Sequence, residues 1–455
     1  MTERRDELDA GISRREFVKK TGVGVGGLLL APLAAEPAWA GMTHEAAPAA
    51  GTIKVGFISP RSGPLGSFGE PDRFALGLAR KKLAKGLTIG GKHYAVKIID
   101  KDNQSSPPRA GQLAKQLINR DKVDLVLSTS TPETNNPVAD ACEAAGIPHI
   151  STIEPWEAWY LARGATPGKP SPFKWGFHFS FGVGEFGKEF INNWKNGPVK
   201  TNKKVGVMWP NDADGNAVRA ILGPMLKQAG FTVIDPGAYE DGTTNYSSQI
   251  AKFKQENCEI FQTFPIPPDF TTFWQQAAQQ GYTRIVKIAQ LAKTGLFPSQ
   301  ISASGALGNR LASNVYWHPA FPYSSSLLGL NSKQLAAAYE KSSGKQWNQQ
   351  LGATVSLLDV GITALKASRN PKSKAAVARA MRTLKVNTPV GHLDWTKNPK
   401  DPAGRKVPNV VTTPLLACQW LKAPAGSKYK LQCVIVEHVN DKKVPIGAKL
   451  KPYNG

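Results

Sequence analysis

The sequence predicts an α/β protein built as two doubly wound parallel-sheet lobes, and three observations point there. At 455 residues the chain exceeds what one hydrophobic core usually organises, so two lobes are the default. Short apolar runs alternate with helix-length segments, the pattern of βαβ units. The alternation then begins afresh after a Pro/Gly-rich stretch at 164–172.

The first series opens with the apolar run 52–59, too continuous for a half-exposed strand and suited to a buried parallel one. The turn residues Ser62-Gly63-Pro64 end it. A helix is expected over about 71–83, a strand over 94–100, a helix over 108–120, a strand over 123–127, a helix over 136–145 and a strand over 148–152. The second series reads as strand 203–209, helix 216–229, strand 232–236, helix 246–257, strand 259–264 and helix 270–280. Helices at 332–342, 354–367 and 374–384 precede a closing hairpin of two runs, 410–420 and 429–437. The expected boundaries are a first lobe at 51–172, joined again by about 297–400, and a second at 173–296, joined again by about 401–455.

With 41% apolar and 20% charged residues, a wholly disordered chain and a fibre are excluded. Lys and Arg number 57 against 34 Asp and Glu, a net charge of +23. The first 40 residues carry six of each sign, so the excess belongs to the remainder. The cations are dispersed without a compact basic block, so nucleic acid is not an expected partner. Within 1–40, Arg14-Arg15 is followed by Phe17, a Gly-rich apolar stretch over 21–35, and Ala38 and Ala40 spaced for cleavage before Gly41. This resembles a twin-arginine signal peptide, which implies export to the periplasm. The apolar stretch is shorter than the roughly 20 residues that span a bilayer. Gly22-x-Gly24-x-x-Gly27 has the spacing of a dinucleotide fingerprint but follows no strand, so that reading fails in its context.

The four cysteines, Cys142, Cys258, Cys418 and Cys433, form no C-x-x-C pair. The midpoint between Cys418 and Cys433 falls in the loop 423–428, so an antiparallel hairpin would set them opposite each other. A disulfide and two buried thiols both fit. The seven histidines are scattered, and no phosphate-binding loop, nucleophile elbow or zinc helix occurs. No metal site, no cofactor and no catalytic residue is expected, and the chain does not read as an enzyme.

Ligands of open α/β sheets lie at the carboxyl ends of strands. The loops there are 62–69, then Asp100 to Gln104 with Pro107, then 128–136, and 146–156. In this order, from about Thr52 onward, they resemble the leucine/isoleucine/valine-binding family, the type I periplasmic solute-binding proteins of ABC importers. The resemblance implies two lobes closing over one small solute by a hinge, delivery to a membrane permease and ATPase, and a monomer; a ligand-sensing receptor subunit of the same fold is the alternative. It also places Phe68 among the aromatic residues lining the cleft. Ser130, Thr131 and Thr134 fall in the hydroxyl-rich loop that holds a ligand carboxylate at a helix N-terminus, and Ile153, Glu154 and Trp156 in the loop contacting the amino-acid head group. Asp214, Ile266 and Gln290 align with second-lobe positions used for aromatic contacts and, at Gln290, for an acidic partner of the ammonium. Pro132 stands where the family has a carboxylate-binding Ser, Pro155 where it has Thr, and Gln290 where it has the acid. These departures, with Trp156 as an expected aromatic wall, suit an amide, a larger or aromatic amino acid, or a small carboxylate.

Overall fold

The computed structural model describes residues 49–454; the export signal expected over 1–40 lies outside the described residues. Thr52–Ser59 (β1) leads through Asp72–Lys82 (α1) to the hairpin Leu87–Ile89 (β2) and Lys92–Asp102 (β3). Pro107–Asn119 (α2), Leu125–Thr129 (β4), Pro132–Ala145 (α3), His149–Thr152 (β5), Trp156–Tyr160 (α4) and Gly176–Ser180 (β6) follow. The second series is Val183–Asn196 (α5), Lys204–Met208 (β7), Ala213–Gln228 (α6), Thr232–Ile234 (β8), Ser247–Gln255 (α7), Ile260–Thr263 (β9), Pro267–Gln279 (α8), Ile288–Leu291 (β10), Pro298–Ala303 (α9) and Ala312–Val315 (β11). Ser332–Ser343 (α10), Gln350–Ala367 (α11), Lys374–Met381 (α12), the hairpin Lys385–Thr388 (β12) and Gly391–Asp394 (β13), then Val410–Thr412 (β14), Leu416–Lys422 (β15) and Leu431–Glu437 (β16) complete the chain.

The strands form two seven-stranded sheets, β14-β6-β5-β4-β1-β3-β2 and β16-β15-β11-β10-β9-β7-β8, and the separate β12–β13 pair. Within the first sheet only β2 runs antiparallel. Within the second only β15 runs against the rest, pairing antiparallel with β11 on one side and β16 on the other. The central parallel strands are buried on both faces, with β4, β5, β6 and β9 buried along their whole length, as continuous apolar runs require, whereas β3 and β8 toward the edges are partly exposed. The chain passes between the sheets three times, at 181–182, between β11 and α10, and at 413–415. Local signals start the helices: Asp212 Oδ1 caps α6 by accepting from Gly215 N at 2.6 Å, and Asn331 and Gln334 cap α10 reciprocally. Helix α11 is buried on nearly every side and lies against α1, α12, β4 and β5.

Three expectations are corrected by this topology. The stretch 164–172 is a loop inside the first lobe, because β6 continues the first sheet by pairing with β5; β14 belongs there too, whereas β11 stays in the second sheet. The run 410–420 is two strands in different sheets, divided where Pro414, which has no N–H to donate to a ladder, carries the crossing. The expected opposition of Cys418 and Cys433 does not occur. The hairpin turns about Gly426 (φ 80°) and Ser427, one residue beyond the midpoint, so Cys418 pairs with Ile435 and Cys433 with Trp420. Both thiols are free and buried.

Candidate functional site

The carboxyl ends of the two sheets face each other across a cavity of about 40 Å³. From the first lobe, the turn Gly66–Gly69 after β1 supplies Phe68, the end of β4 supplies Ser130 and Thr131, and the end of β5 supplies Ile153, Glu154 and Pro155. From the second lobe, the first turn of α6 supplies Asp214, and the ends of β9, β10 and β11 supply Phe264, Lys293 and Asn314. Phe181 and Leu415 come from crossing segments, and Tyr316 follows β11.

The backbone at this edge is strained. Ser130 has φ 138° and Ile153 φ 93°, values that a residue with a Cβ adopts only where the surroundings impose them. Asn135 is one source of that imposition: its Nδ2 donates to the carbonyls of Ser130 and Thr152, each at 3.2 Å, tying the ends of β4 and β5 together. His178 is another, with Nε2 3.0 Å from the Glu154 carbonyl and Nδ1 3.0 Å from Ser151 Oγ. Burial pushes His178 down to about 3, so this imidazole is neutral and acts as a brace.

The polar groups of the cavity are unevenly satisfied. Lys293 Nζ donates to Asp212 Oδ2 at 2.9 Å and to Asp214 Oδ2 at 3.0 Å, with all three side chains at most 7% exposed. Burial opposes the charge on Lys293, but Asp212 and Asp214 overcome it and hold its pKa well above the ordinary value. Burial raises Asp214 to about 7. Glu154 is 1% exposed; the Asn135 amide nearby favours its charged form, but that nitrogen already donates to the carbonyls of Ser130 and Thr152, and neither carboxyl oxygen of Glu154 has a well-formed hydrogen bond. Burial first, then the nearby Asp214 and Glu133, push it well above the carboxylate range. Ser130 Oγ, Thr131 Oγ1, Asp214 Oδ1 and Asn314 Oδ1 are likewise buried and unpartnered. Buried polar atoms ordinarily find partners, so their convergence on one aromatic-walled cavity marks a place where a ligand completes the set.

Of the residues expected from sequence, Phe68, Ser130, Thr131, Ile153, Glu154 and Asp214 meet around this cavity. The other four stand elsewhere. Thr134 lies in the first turn of α3 but does not line the cavity, its hydroxyl 3.5 Å from the Thr131 carbonyl. Trp156 begins the one-turn helix α4 and packs with Tyr160 in a satellite core that includes Trp159 and Phe173; it is not a wall of the cavity. Ile266 precedes α8 and packs on the core. Gln290 is fully buried within β10, short of the strand end. Sequence reasoning missed Lys293, Asn314 and Tyr316. A lone lysine directly after the apolar run 288–292 was the signal available for the first.

The sequence profile described as "Periplasmic binding protein" matches residues 52–407, well over half of the chain. The chain belongs to this family. A Leu/Ile/Val-binding protein homolog 7 of Brucella suis biovar 1 is 24% identical over 254 residues, covering 53% of this chain and 59% of the relative. The chain thus spans less than two thirds of the length of the curated relatives it matches. Among solved structures, the leucine-binding protein LivK of Thermotoga maritima superposes with a TM-score of 0.65 at 16% identity, covering 85% of this chain and 99% of that one. A solute-binding protein of an ABC transporter from Rhodopseudomonas palustris, in complex with 3,4-dihydroxybenzoic acid, gives 0.64 at 19% identity, covering 87% and 99%. LivJ of Streptococcus pneumoniae, in complex with isoleucine, gives 0.63 at 17% identity, covering 84% and 99%. At these identities the family members share the fold, two α/β lobes, with this chain.

Proposed function

We propose that this protein captures a small solute with an apolar or aromatic body between its lobes and delivers it to the permease and ATPase of an ABC importer. The observation that carries the reading is the cavity where both sheets end, lined by aromatic rings and by buried polar atoms without partners. Three chain crossings join the lobes, so the walls can separate and close as a hinge. The ligands of two structural neighbours, isoleucine and 3,4-dihydroxybenzoic acid, support a solute of this size. The place of action is the periplasm, reached by the twin-arginine route, with the monomer as the working unit. Among the described residues no helix is long and apolar enough to cross a membrane.

The test is a thermal-shift screen of residues 41–455 against amino acids, amides, aromatic carboxylates and amines. A ligand that binds only the folded state raises the melting temperature by mass action. One chemical class shifting it strongly, with no turnover of the solute, is the expected result. A protein unmoved by every class, after unfolding and refolding to empty the cleft, would overturn the reading.

A further inference from the structure

The charges around the cavity do not balance. Four carboxyl groups, Glu133, Glu154, Asp212 and Asp214, act on one another there, and the cation on the wall, Lys293, is already engaged by two of them. The other cation acting on Glu154, Arg163, pairs with Asp140 at 2.6 Å and lies over the rings of Trp159 and Phe173. Lys293 is taken up by its two partners, and Arg163 acts on Glu154 only from a distance, with no hydrogen bond to it, so the carboxyl oxygens of Glu154 and the second oxygen of Asp214 keep no partner.

We propose that the solute carries a positively charged nitrogen, lodged between Glu154 of the first lobe and Asp214 of the second within a cage of aromatic rings. This deepens the solute-binding reading and rests on it. Two carboxyl groups presented from opposite lobes repel when the cleft closes, unless a proton or a cation sits between them. A cation there turns the repulsion into two charge-assisted contacts, so it acts as the latch of the closed form. Phe68 and Phe181 line the cavity with Phe264 and Tyr316, and ring faces favour a cation. The hydroxyl oxygens of Ser130 and Thr131 remain free to accept from an ammonium.

An anion is poorly served by the same walls. Pro132 at the start of α3 has no N–H, and the N–H groups of Thr134 and Asn135 donate to the Thr131 carbonyl at 3.2 and 3.0 Å. Glu133 stands in the same first turn. The helix terminus that would attract a carboxylate is therefore largely occupied and carries an acid of its own.

The experiment compares four probes of similar shape and different charge on the mature protein by calorimetry and thermal shift: benzylamine, benzyltrimethylammonium, benzamide and benzoate. At least one of the two cations is expected to bind and benzoate is not. Binding of the cation ionises acids that the empty fold holds protonated, so protons are released and affinity rises between pH 5 and pH 8. Glu154→Gln and Asp214→Asn should each weaken the bound cation roughly tenfold to a hundredfold, the worth of a charge-assisted contact. Glu154→Gln, whose carboxyl oxygens have no partner, should do so without lowering the melting temperature of the unliganded protein, whereas Asp214→Asn also withdraws a partner from Lys293 and is compared well below its own melting temperature. Stronger binding of benzoate or benzamide, affinity that falls with pH, or full cation affinity in both variants would overturn the cation while leaving solute binding intact. If the wider screen finds a solute and none of the four probes binds, the charge of that solute decides in the same way. Silence from all classes overturns both readings.

Discussion

A lysine whose side chain is 7% exposed persists as a cation only because carboxylates surround it, and Lys293 has Asp212 and Asp214 within 3.0 Å. Replacing it by Met leaves two buried acids without their counter-ion. Lys293→Met is expected to lower the unfolding free energy by about 3–5 kcal/mol at neutral pH. The deprived acids would have folded pKa values above their unfolded ones, so the loss should shrink as pH falls toward 5 and grow toward 8. Urea titrations at the two pH values measure this; an equal loss at both would show that packing of the lysine stem, not charge, is what matters. Lys293 also shows why site residues differ in legibility. Phe68, Ser130, Thr131, Ile153, Glu154 and Asp214 follow strands that are readable from the sequence, and the family resemblance places each of them at those strands' carboxyl ends. Lys293 and Tyr316 follow β10 and β11, and Asn314 lies within β11; no strand is expected from the sequence over either stretch, so nothing marks these residues as lying at a carboxyl end. Trp156 was misplaced for the converse reason: Pro155 starts a single helical turn that turns the indole toward a satellite core.

At the scale of elements, the α/β alternation of both lobes was legible because parallel strands buried on both faces leave unbroken apolar runs. What was not legible was membership: the sheet a strand joins depends on pairing with partners far away in sequence, as for β6, β11 and β14. Helix α11 makes one such distant dependence testable. Gly352 lies so close to Trp317 that a Cβ would fall 2.0 Å from the ring, and Trp317 is fully buried with Nε1 donating to Ser332 Oγ at 3.1 Å. Gly352→Ala should therefore cost about 1–3 kcal/mol through overpacking. Gly184, in α5 with nothing near its missing Cβ, is the control: Gly184→Ala should gain up to about 1 kcal/mol. Thermal unfolding of the two variants compares them directly, and a stabilising Gly352→Ala would contradict the contact. The hairpin of β15 and β16 gives a second prediction. Its register leaves Cys418 and Cys433 as free thiols, so adding a reductant should leave the melting temperature unchanged; a fall of several degrees would reveal a bond between them.

Over the whole molecule, burial has been imposed on acids and histidines alike, and their opposite responses set the pH dependence of stability. Burial raises Asp72 to about 6, Asp214 and Asp359 to about 7 and Glu157 to about 8. Such groups contribute stability that is full below their unfolded pKa, 3.8 for Asp and 4.5 for Glu, and lost as pH rises through the folded value. Burial lowers His178 to about 3 and His318 to about 4, so their contribution falls away in acid and is complete again above 6.5, the unfolded value. Between pH 4 and 6.5 the two sets oppose each other. Above 6.5 the histidines are level and only the acids still change, each costing about 1.4 kcal/mol per pH unit while it is ionised in the unfolded chain alone. The unliganded protein is therefore expected to be most stable on the acid side of neutrality, with a melting temperature that falls from pH 6.5 to pH 8.5; a flat or rising profile would refute this. A solute bearing a cation between Glu154 and Asp214 would supply the charge these acids lack. The same scan in its presence should then fall less steeply, because ionisation at the cleft would no longer oppose the closed fold.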